Sequence, residues 1–207
     1  MENLIIYLER EIKPKGAVKG VLPDERRIRE FLFEDEYHTL QLLQTITTFP
    51  HTRATLLYPG CGADVLFPLL YIEQLFPRLT EMHCTFVDAQ DNQKLIETVL
   101  DEVRIPFSRK KNKINFYWKD TRTTISFIVG DIFNLIDSSP PFDIYFERAF
   151  RIMKDGQEGY EQKIVNKLKA GGILISDSGF QKVKLRKLDA PKGLSAYGEM
   201  VVGVKEK

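Results

Sequence analysis

Beyond residue 53, five short apolar runs alternate with polar segments whose apolar positions have helical spacing. The runs are rich in β-branched and aromatic residues and cover positions 55–58, 84–87, 125–129, 142–146 and 173–175. Near-continuous apolar runs that alternate with helical stretches are typical of parallel strands buried on both faces. The pattern therefore predicts an α/β fold built on a mostly parallel sheet with helices on both faces.

A glycine turn follows the first of these predicted strands, and an acidic residue follows each of the other four. The first run leads into Gly60-Cys61-Gly62, and the other four are followed by Asp88, Asp131, Glu147 and Asp177. A tight glycine turn between a strand and a helix lets the backbone approach a nucleotide-like ligand. Because ligands of open α/β sheets bind beyond the carboxyl ends of the strands, these residues are the first candidates for a binding site.

The N-terminal part of the chain has a different pattern. Apolar positions of roughly helical spacing run through residues 28–46, and Asp24 suits the first turn of a helix. We therefore divide one domain into an N-terminal helical extension, residues 1–52, and a Rossmann-like core, residues 53–207. The helices cover either a substrate or only the edge of the sheet. His38 lies in this pattern and is a candidate to reach the site.

A basic run at Arg109–Lys113 precedes the third apolar run. Between them, Ile114, Phe116 and Trp118 alternate with polar residues, which predicts a hairpin that leads into the third strand. Basic residues beside aromatic ones are found at nucleic-acid interfaces. They are also common in a solvated loop on a half-buried strand, and the sequence favours this second interpretation.

Composition limits the choice of partners and fits the expectation of a single soluble enzyme domain. The 207 residues carry a net charge of +1, so there is no global electrostatic reason to expect nucleic acid or an anionic membrane. No apolar run approaches the ~18–20 residues that span a bilayer, and the first four residues lack the basic start of a secretory signal. Cys61 and Cys84 are expected to be reduced thiols in a cytoplasmic protein. The sequence has no spacing typical of a metal site.

In their order and spacing, these motifs resemble those of class I S-adenosylmethionine-dependent methyltransferases. Gly60-Cys61-Gly62 resembles the first family motif, Asp88 the ribose-binding acid, and Gly130-Asp131 the acid near the adenine. Leu168–Gly172 is similar to the segment before the fifth strand. The resemblance implies a Rossmann-like sheet of about seven strands, mostly parallel, with an antiparallel last strand. Residues 183–185 and 199–204 would supply the closing strands.

The resemblance also implies S-adenosylmethionine as the cofactor. The residues that it assigns to cofactor binding lie in the glycine loop, at the ends of the strands and directly after them: Tyr58, Gly60, Cys61, Gly62, Asp64, Asp88, Ala89, Asp131, Ile132 and Glu147.

Two positions depart from the family pattern. Tyr58 stands where the family usually has an acid, and Asp64 stands where it often has a third glycine. Asp64 either starts the next helix or meets the cationic end of the cofactor. A carboxylate at this helix start would repel a pyrophosphate, and Val65 replaces the last glycine of the dinucleotide fingerprint. The sequence therefore disfavours an NAD site.

The family places substrate chemistry after the fourth strand, where this chain has Glu147 and Arg148. The two residues either form a structural ion pair or act on the substrate. In the second case, Glu147 would accept a proton or a cation, and Arg148 would hold an anionic substrate group through its planar guanidinium. Glu147, Asp177 and His38 are the candidates for a general base, in that order.

The sequence thus predicts methyl transfer from S-adenosylmethionine to an unidentified, small-molecule acceptor, with Glu147, Arg148 and His38 as the catalytic residues. No metal, nucleic-acid or membrane partner is expected. One alternative is a non-catalytic binding or scaffold protein of the same fold, which the tyrosine at position 58 favours. Another is aminopropyl transfer to a polyamine, which Arg148 and Arg151 disfavour because a polyamine is itself cationic.

Overall fold

The structure is a computed structural model that describes residues 11–32, 34–180, 183–194 and 200–206. In these ranges it has a nine-stranded sheet and eight α-helices. The strands are β1 (Arg53–Pro59), β2 (Glu81–Asp88), β3 (Phe107–Lys110), β4 (Lys113–Trp118), β5 (Thr121–Val129), β6 (Phe142–Glu147), β7 (Leu168–Ser176), β8 (Arg186–Leu188) and β9 (Val201–Val204).

The helices lie before the sheet and between its strands. They are α1 (Glu25–Glu30), α2 (Glu34–Gln41), α3 (Leu43–Ile46), α4 (Leu66–Leu75), α5 (Gln93–Glu102), α6 (Ile132–Leu135), α7 (Arg151–Asp155) and α8 (Tyr160–Lys167). Two short 3₁₀ helices, Ile136–Ser138 and Lys192–Leu194, complete the set in the described ranges. None of the helices in these ranges is long and apolar enough to cross a membrane.

The strand order is β3-β4-β5-β2-β1-β6-β7-β9-β8. The five central strands, β5, β2, β1, β6 and β7, are parallel, and β9 pairs antiparallel with β7. Counted in chain order, these five strands follow the 3-2-1-4-5 order of a doubly wound sheet. The predicted Rossmann-like α/β fold with an antiparallel last strand is confirmed, but the sheet has nine strands rather than about seven.

The two additional strands come from the segment before β5. β4 pairs antiparallel with β5 in the predicted hairpin, and Ile114, Phe116 and Trp118 are buried. Arg109 and Lys110, expected in a loop, lie in β3, which pairs antiparallel with β4. This strand was not predicted, because two of its four residues are exposed and basic and so do not show the apolar pattern of a strand.

The C-terminal strands differ slightly from the expectation. β8 begins at Arg186, directly after the predicted stretch 183–185, and β9 covers Val201–Val204. Glu199, which was expected in the last strand, lies outside the described residues. β7 begins at Leu168 and runs through Gly171-Gly172, which were expected to precede the strand. These glycines pair with Lys205, since the Gly171 amide donates to its carbonyl and the Lys205 amide donates to Gly172.

Helices cover both faces of the sheet, as predicted. Alternate strand residues enter two separate apolar clusters: Leu56 and Tyr58 of β1 face the first cluster, and Leu57 faces the second. The first cluster contains residues of α4, α5 and the N-terminal helices, and the second contains residues of α6 and α8. The chain therefore changes faces between β5 and β6, which makes the gap between β1 and β6 the topological switch point.

Candidate active site

The carboxyl ends of β1 and β6 form the crevice in which ligands of doubly wound sheets bind. The glycine loop leaves β1 on one side of this crevice, and on the other side Glu147 ends β6 and is followed directly by Arg148. Asp88 ends β2, next to the glycine loop. The fold thus gathers the ends of three strands that the sequence had singled out.

The glycine loop is tied to the end of β2 by backbone amides. Gly60 N–H donates to Val87 O at 2.8 Å, and Gly62 N–H donates to Asp88 Oδ2 at 2.8 Å. Both glycines have positive φ, +58° and +53°, which favours residues without a Cβ. Asp88 Oδ1 accepts the Gln90 amide at 3.0 Å, so the carboxylate shapes both loops that border the crevice.

Tyr58 and Asp64, the two positions that depart from the family pattern, are joined by a hydrogen bond that the sequence did not predict. The buried Tyr58 hydroxyl donates to Asp64 Oδ2 at 2.8 Å, and the Phe67 amide donates to Asp64 Oδ1 at 3.2 Å. Asp64 is therefore bound to the first turn of α4. Burial raises the pKa of Asp64, although nearby Arg148 and the hydrogen bond from Tyr58 oppose this shift.

Arg148 lies among carboxylates. Its guanidinium stacks on Phe67, 3.3 Å from the ring centroid, and donates to Glu36 Oε1 of α2 at 2.8 Å. Arg148 Nε also lies 3.9 Å from Asp177 Oδ2. Burial alone would lower the pKa of Arg148, but Asp64 and Glu36 raise it. Three carboxylates around one guanidinium leave a formal charge of −2 in this part of the crevice.

Glu147 lies on the face of the sheet opposite Phe67, beside Tyr145 of the second apolar cluster, and it is only 1% exposed. It pairs with the buried ammonium of Lys154, and it accepts Tyr145 Oη at 2.7 Å and Ser176 Oγ at 2.6 Å. Burial raises the pKa of Glu147, and Lys154 opposes this shift. The possible ion pair between Glu147 and Arg148 is not what the structure shows, because each of them pairs with another residue.

The remaining candidates lie directly after β2, at the start of α6 and on α2. Asp131 caps α6 by accepting the Phe133 amide at 2.9 Å, Ile132 is buried, and Ala89 is exposed beside Asp88. His38 is exposed on α2. Since residues two apart on a helix do not face each other, His38 points away from the side on which Glu36 meets Arg148.

The thiols of Cys61 and Cys84 are both free and buried, and burial raises the pKa of each. Within the described ranges, no group of three histidine, cysteine, aspartate or glutamate residues could hold a metal ion.

Two further residues at the site were not predicted from the sequence. Phe150 packs on Gly60, and Lys154 is the partner of Glu147. Lys154 gave no signal, because a lysine in a short polar segment reads as exposed. The segment that follows β6 begins with Arg148-Ala149-Phe150, and its aromatic residue was the one indication in the sequence that this segment packs against the core.

The topology decides the fold type. A parallel core with 3-2-1-4-5 order, a switch point at the glycine loop and an antiparallel strand beside the fifth match the expected family architecture. In its fold, the chain resembles the class I S-adenosylmethionine-dependent methyltransferases. No protein-family model and no curated protein matches the sequence.

Among solved structures, similar chains include a Listeria monocytogenes protein assigned to the class I S-adenosylmethionine-dependent methyltransferases. It has 13% identity and a TM-score of 0.46, over 83% of this chain and 59% of that one. PKMT2 from Rickettsia typhi, solved with AdoHcy, has 15% identity and a TM-score of 0.41, over 67% and 24% of the two chains.

TrmN from Thermus thermophilus has 15% identity and a TM-score of 0.39, over 81% of this chain and 46% of that one. The chain spans half or less of the length of several of the solved structures that it matches.

Proposed function

We propose that this protein binds S-adenosylmethionine at the switch point and transfers its methyl group to a small-molecule acceptor. The observation that carries the proposal is the combination, in one crevice, of a positive-φ glycine loop anchored to Asp88 and an excess of carboxylates. S-adenosylmethionine carries a sulfonium and an ammonium and has no phosphate, so its charge complements this crevice.

Individual residues of the crevice also fit such a ligand. Asp88 lies beside the loop, where its carboxylate can accept the ribose hydroxyls in addition to the Gly62 and Gln90 amides. Asp64, fixed by Tyr58, supplies the negative charge for the ammonium. A Cβ built on Gly62 meets no atom within 4 Å, so this part of the loop is open to a ligand.

The sulfonium supplies an already activated methyl group, so the protein has mainly to orient the acceptor and exclude water. Arg148 is the candidate to hold an anionic acceptor group, but such a group has to displace Glu36 from the guanidinium. Glu147 is a poor general base in this arrangement, because Lys154, Tyr145 and Ser176 already donate to it. An acceptor that needs no base, such as a neutral amine, suits these residues best.

A non-catalytic binding protein is the second candidate, and one observation favours it. The glutamate that ends β6 is committed to a buried internal pair, so the residue first expected to handle a proton is turned away from the crevice. This candidate predicts cofactor binding without turnover on any acceptor, whereas the enzyme predicts that S-adenosylhomocysteine forms when a suitable acceptor is present.

Calorimetric titration with S-adenosylmethionine and S-adenosylhomocysteine tests the proposal. Asp88→Ala should weaken binding of both ligands by about 10- to 150-fold, since a hydrogen bond to a charged group is worth ~1.5–3 kcal/mol. Asp91→Ala is the matched control, because Asp91 lies in the same loop and accepts the Gln93 amide at 3.1 Å. Full-length protein that binds neither ligand would reject the proposed function.

A further inference from the structure

The aromatic ring of Phe150 lies directly on the glycine loop. A Cβ built on Gly60 would come within 2.7 Å of two ring carbons of Phe150, a distance that real Cβ atoms do not show. Phe150 is only 2% exposed. The positive φ of Gly60 and the contact with this ring therefore both require glycine at position 60.

Two further aromatic rings pack against Phe150. Phe133 of α6 stacks on Phe150 with ring centroids 5.8 Å apart and an interplanar angle of 27°, and Tyr160 of α8 lies 6.1 Å away. Phe150 thus bridges the glycine loop and the start of α6. These two elements carry the residues proposed for the two halves of the cofactor, Gly60 on one side and Asp131 and Ile132 on the other.

The backbone at Phe150 is held firmly in place. Ala149 N–H donates to Asp177 Oδ1 at 2.8 Å, and Phe150 N–H donates to Ser178 Oγ at 3.1 Å. Ala149 has a φ of +52°, an unfavourable value for a residue with a Cβ. Lys154 anchors the end of α7 through its buried pair with Glu147, and breaking such a pair is strongly destabilising. Displacement of the ring by side-chain rotation is therefore easier than displacement of the helix.

We propose that the Phe150 side chain is a plug in the cofactor site, which must swing out of the space between Gly60 and Phe133 before S-adenosylmethionine can bind. This inference rests on the proposed function. The structure is then the closed form, and the open form is the one that binds. The apparent affinity equals the affinity of the open form multiplied by the fraction of molecules that are open. A side chain too small to fill the gap raises this fraction and therefore the apparent affinity.

The test compares the binding of S-adenosylmethionine and S-adenosylhomocysteine by the full-length protein and three variants. Phe150→Ala and Phe150→Leu shorten the plug. Phe142→Ala is the matched control. Phe142 is buried in the same apolar cluster as Phe150, but it is the first residue of β6 and so lies at the end of the strand away from the crevice. Thermal unfolding shows which variants are folded. Phe150→Leu removes less volume and keeps the test usable if Phe150→Ala fails to fold.

The proposal expects at least about tenfold tighter binding by a folded Phe150 variant and a change of less than about twofold for Phe142→Ala. Equal or weaker binding by the Phe150 variants, with binding by the unsubstituted protein, overturns the plug and leaves the proposed function standing. An equal gain for Phe142→Ala also overturns the plug, because the gain then comes from general loosening. If no folded form binds either ligand, the proposed function itself is wrong.

A second measurement follows the ring in the otherwise unsubstituted protein. A fluorine label on the Phe150 ring should give a ¹⁹F signal that moves on saturation with S-adenosylhomocysteine, because the ring leaves its stack with Phe133. The same label on Phe142 should keep its signal. A bound complex in which the Phe150 signal stays unchanged overturns the plug even if no Phe150 variant folds.

Discussion

At the scale of single residues, the pairing of Tyr58 with Asp64 explains how this chain departs from the family pattern at two positions at once. Tyr58 is packed edge-on between Phe86 and Phe146, and only its hydroxyl reaches the crevice. A phenol there carries no charge, since burial raises its pKa well above the usual value. The tyrosine instead fixes the carboxylate that stands six residues later, and that carboxylate supplies the charge.

Asp64→Asn isolates the electrostatic contribution. The amide oxygen can still accept from Tyr58 or from the Phe67 amide, so the start of α4 is kept while the negative charge is removed. We expect S-adenosylmethionine to bind more than about fivefold more weakly, because a partly desolvated ion pair exceeds the ~0–1 kcal/mol of an exposed one. The melting temperature should stay nearly unchanged.

Tyr58→Phe is the companion variant, because it keeps the charge and removes only the hydrogen bond from the hydroxyl. Its effect on affinity should be smaller than that of Asp64→Asn. If Asp64→Asn lowers the melting temperature and leaves the affinity unchanged, Asp64 serves only to start α4, and the assignment to the ammonium is wrong.

At the scale of elements, the end of β6 is joined to α7 and to the end of β7 by one buried polar network. Lys154, 4% exposed, donates to both Glu147 and the carbonyl of Gly179. Tyr145 donates to Glu147 from the same strand, and its hydroxyl lies 3.1 Å from that of Tyr160 on α8. The network determines where the chain turns back over the crevice, and so it positions Phe150.

Lys154→Met should lower the free energy of unfolding by ~3–5 kcal/mol, because it leaves the Glu147 carboxylate buried without its cation. Denaturant unfolding measures the change. Lys163→Met is the control, since Lys163 pairs with Asp137 at 2.7 Å on the surface, where such a pair is worth ~0–1 kcal/mol. The double variant Lys154→Met with Glu147→Leu should recover part of the loss. Equal effects of the two single lysine variants would contradict this role of Lys154.

A second polar cluster, formed by Asp143, Thr55 and Lys169, joins the beginning of β6 to its neighbouring strands. Asp143 lies where the pairing of β6 with β7 shifts register, and its Oδ2 accepts the amide and the hydroxyl of Thr55 at 2.8 and 2.7 Å. Lys169 of β7 donates to the same carboxylate. Burial alone would raise the pKa of Asp143, but the hydrogen bonds from Thr55 and Lys169 lower it overall.

Stability should therefore depend on pH through Asp143. Because the folded pKa is lowered, the stabilisation is present above the ordinary carboxyl value of about 3.9 and is lost as the pH falls through the lower folded value. Asp143→Asn should be less stable than the unsubstituted protein at pH 7, and the difference should shrink below about pH 4. Denaturant unfolding across this range measures it. A difference that stays constant down to pH 2 would contradict the assignment.

At the scale of the whole molecule, the parallel core could be predicted because its strands are apolar runs buried on both faces. The acids at their ends were identifiable for the same reason, since each one interrupts an apolar run. The partners of those acids could not be predicted. Lys154 lies in a segment with no apolar periodicity, and β3 consists of only four residues, two of them exposed and basic. The burial of Lys154 and the pairing of β3 are set by tertiary contacts that the local sequence pattern does not show.

The division into an extension and a core is a prediction that still needs a test. Leu43 of α3 is 1% exposed and belongs to the same apolar cluster as Leu56 of β1, whereas its neighbour Leu42 is 53% exposed. α2 and α3 both contact α4, which covers the sheet. The N-terminal helices thus bury their apolar side in the main core, which indicates that the extension and the sheet unfold together.

Leu43→Ala should lower the free energy of unfolding by ~2–5 kcal/mol, the usual cost of a cavity in a core, and Leu42→Ala should change it little. The single tryptophan allows a second comparison, because Trp118 lies in β4 and its indole N–H donates to Glu73 of α4 at 3.0 Å. Unfolding followed by tryptophan fluorescence and by circular dichroism should coincide in both variants, as for one cooperative unit. If Leu43→Ala instead produces an early transition seen only by circular dichroism, the N-terminal helices form a unit of their own.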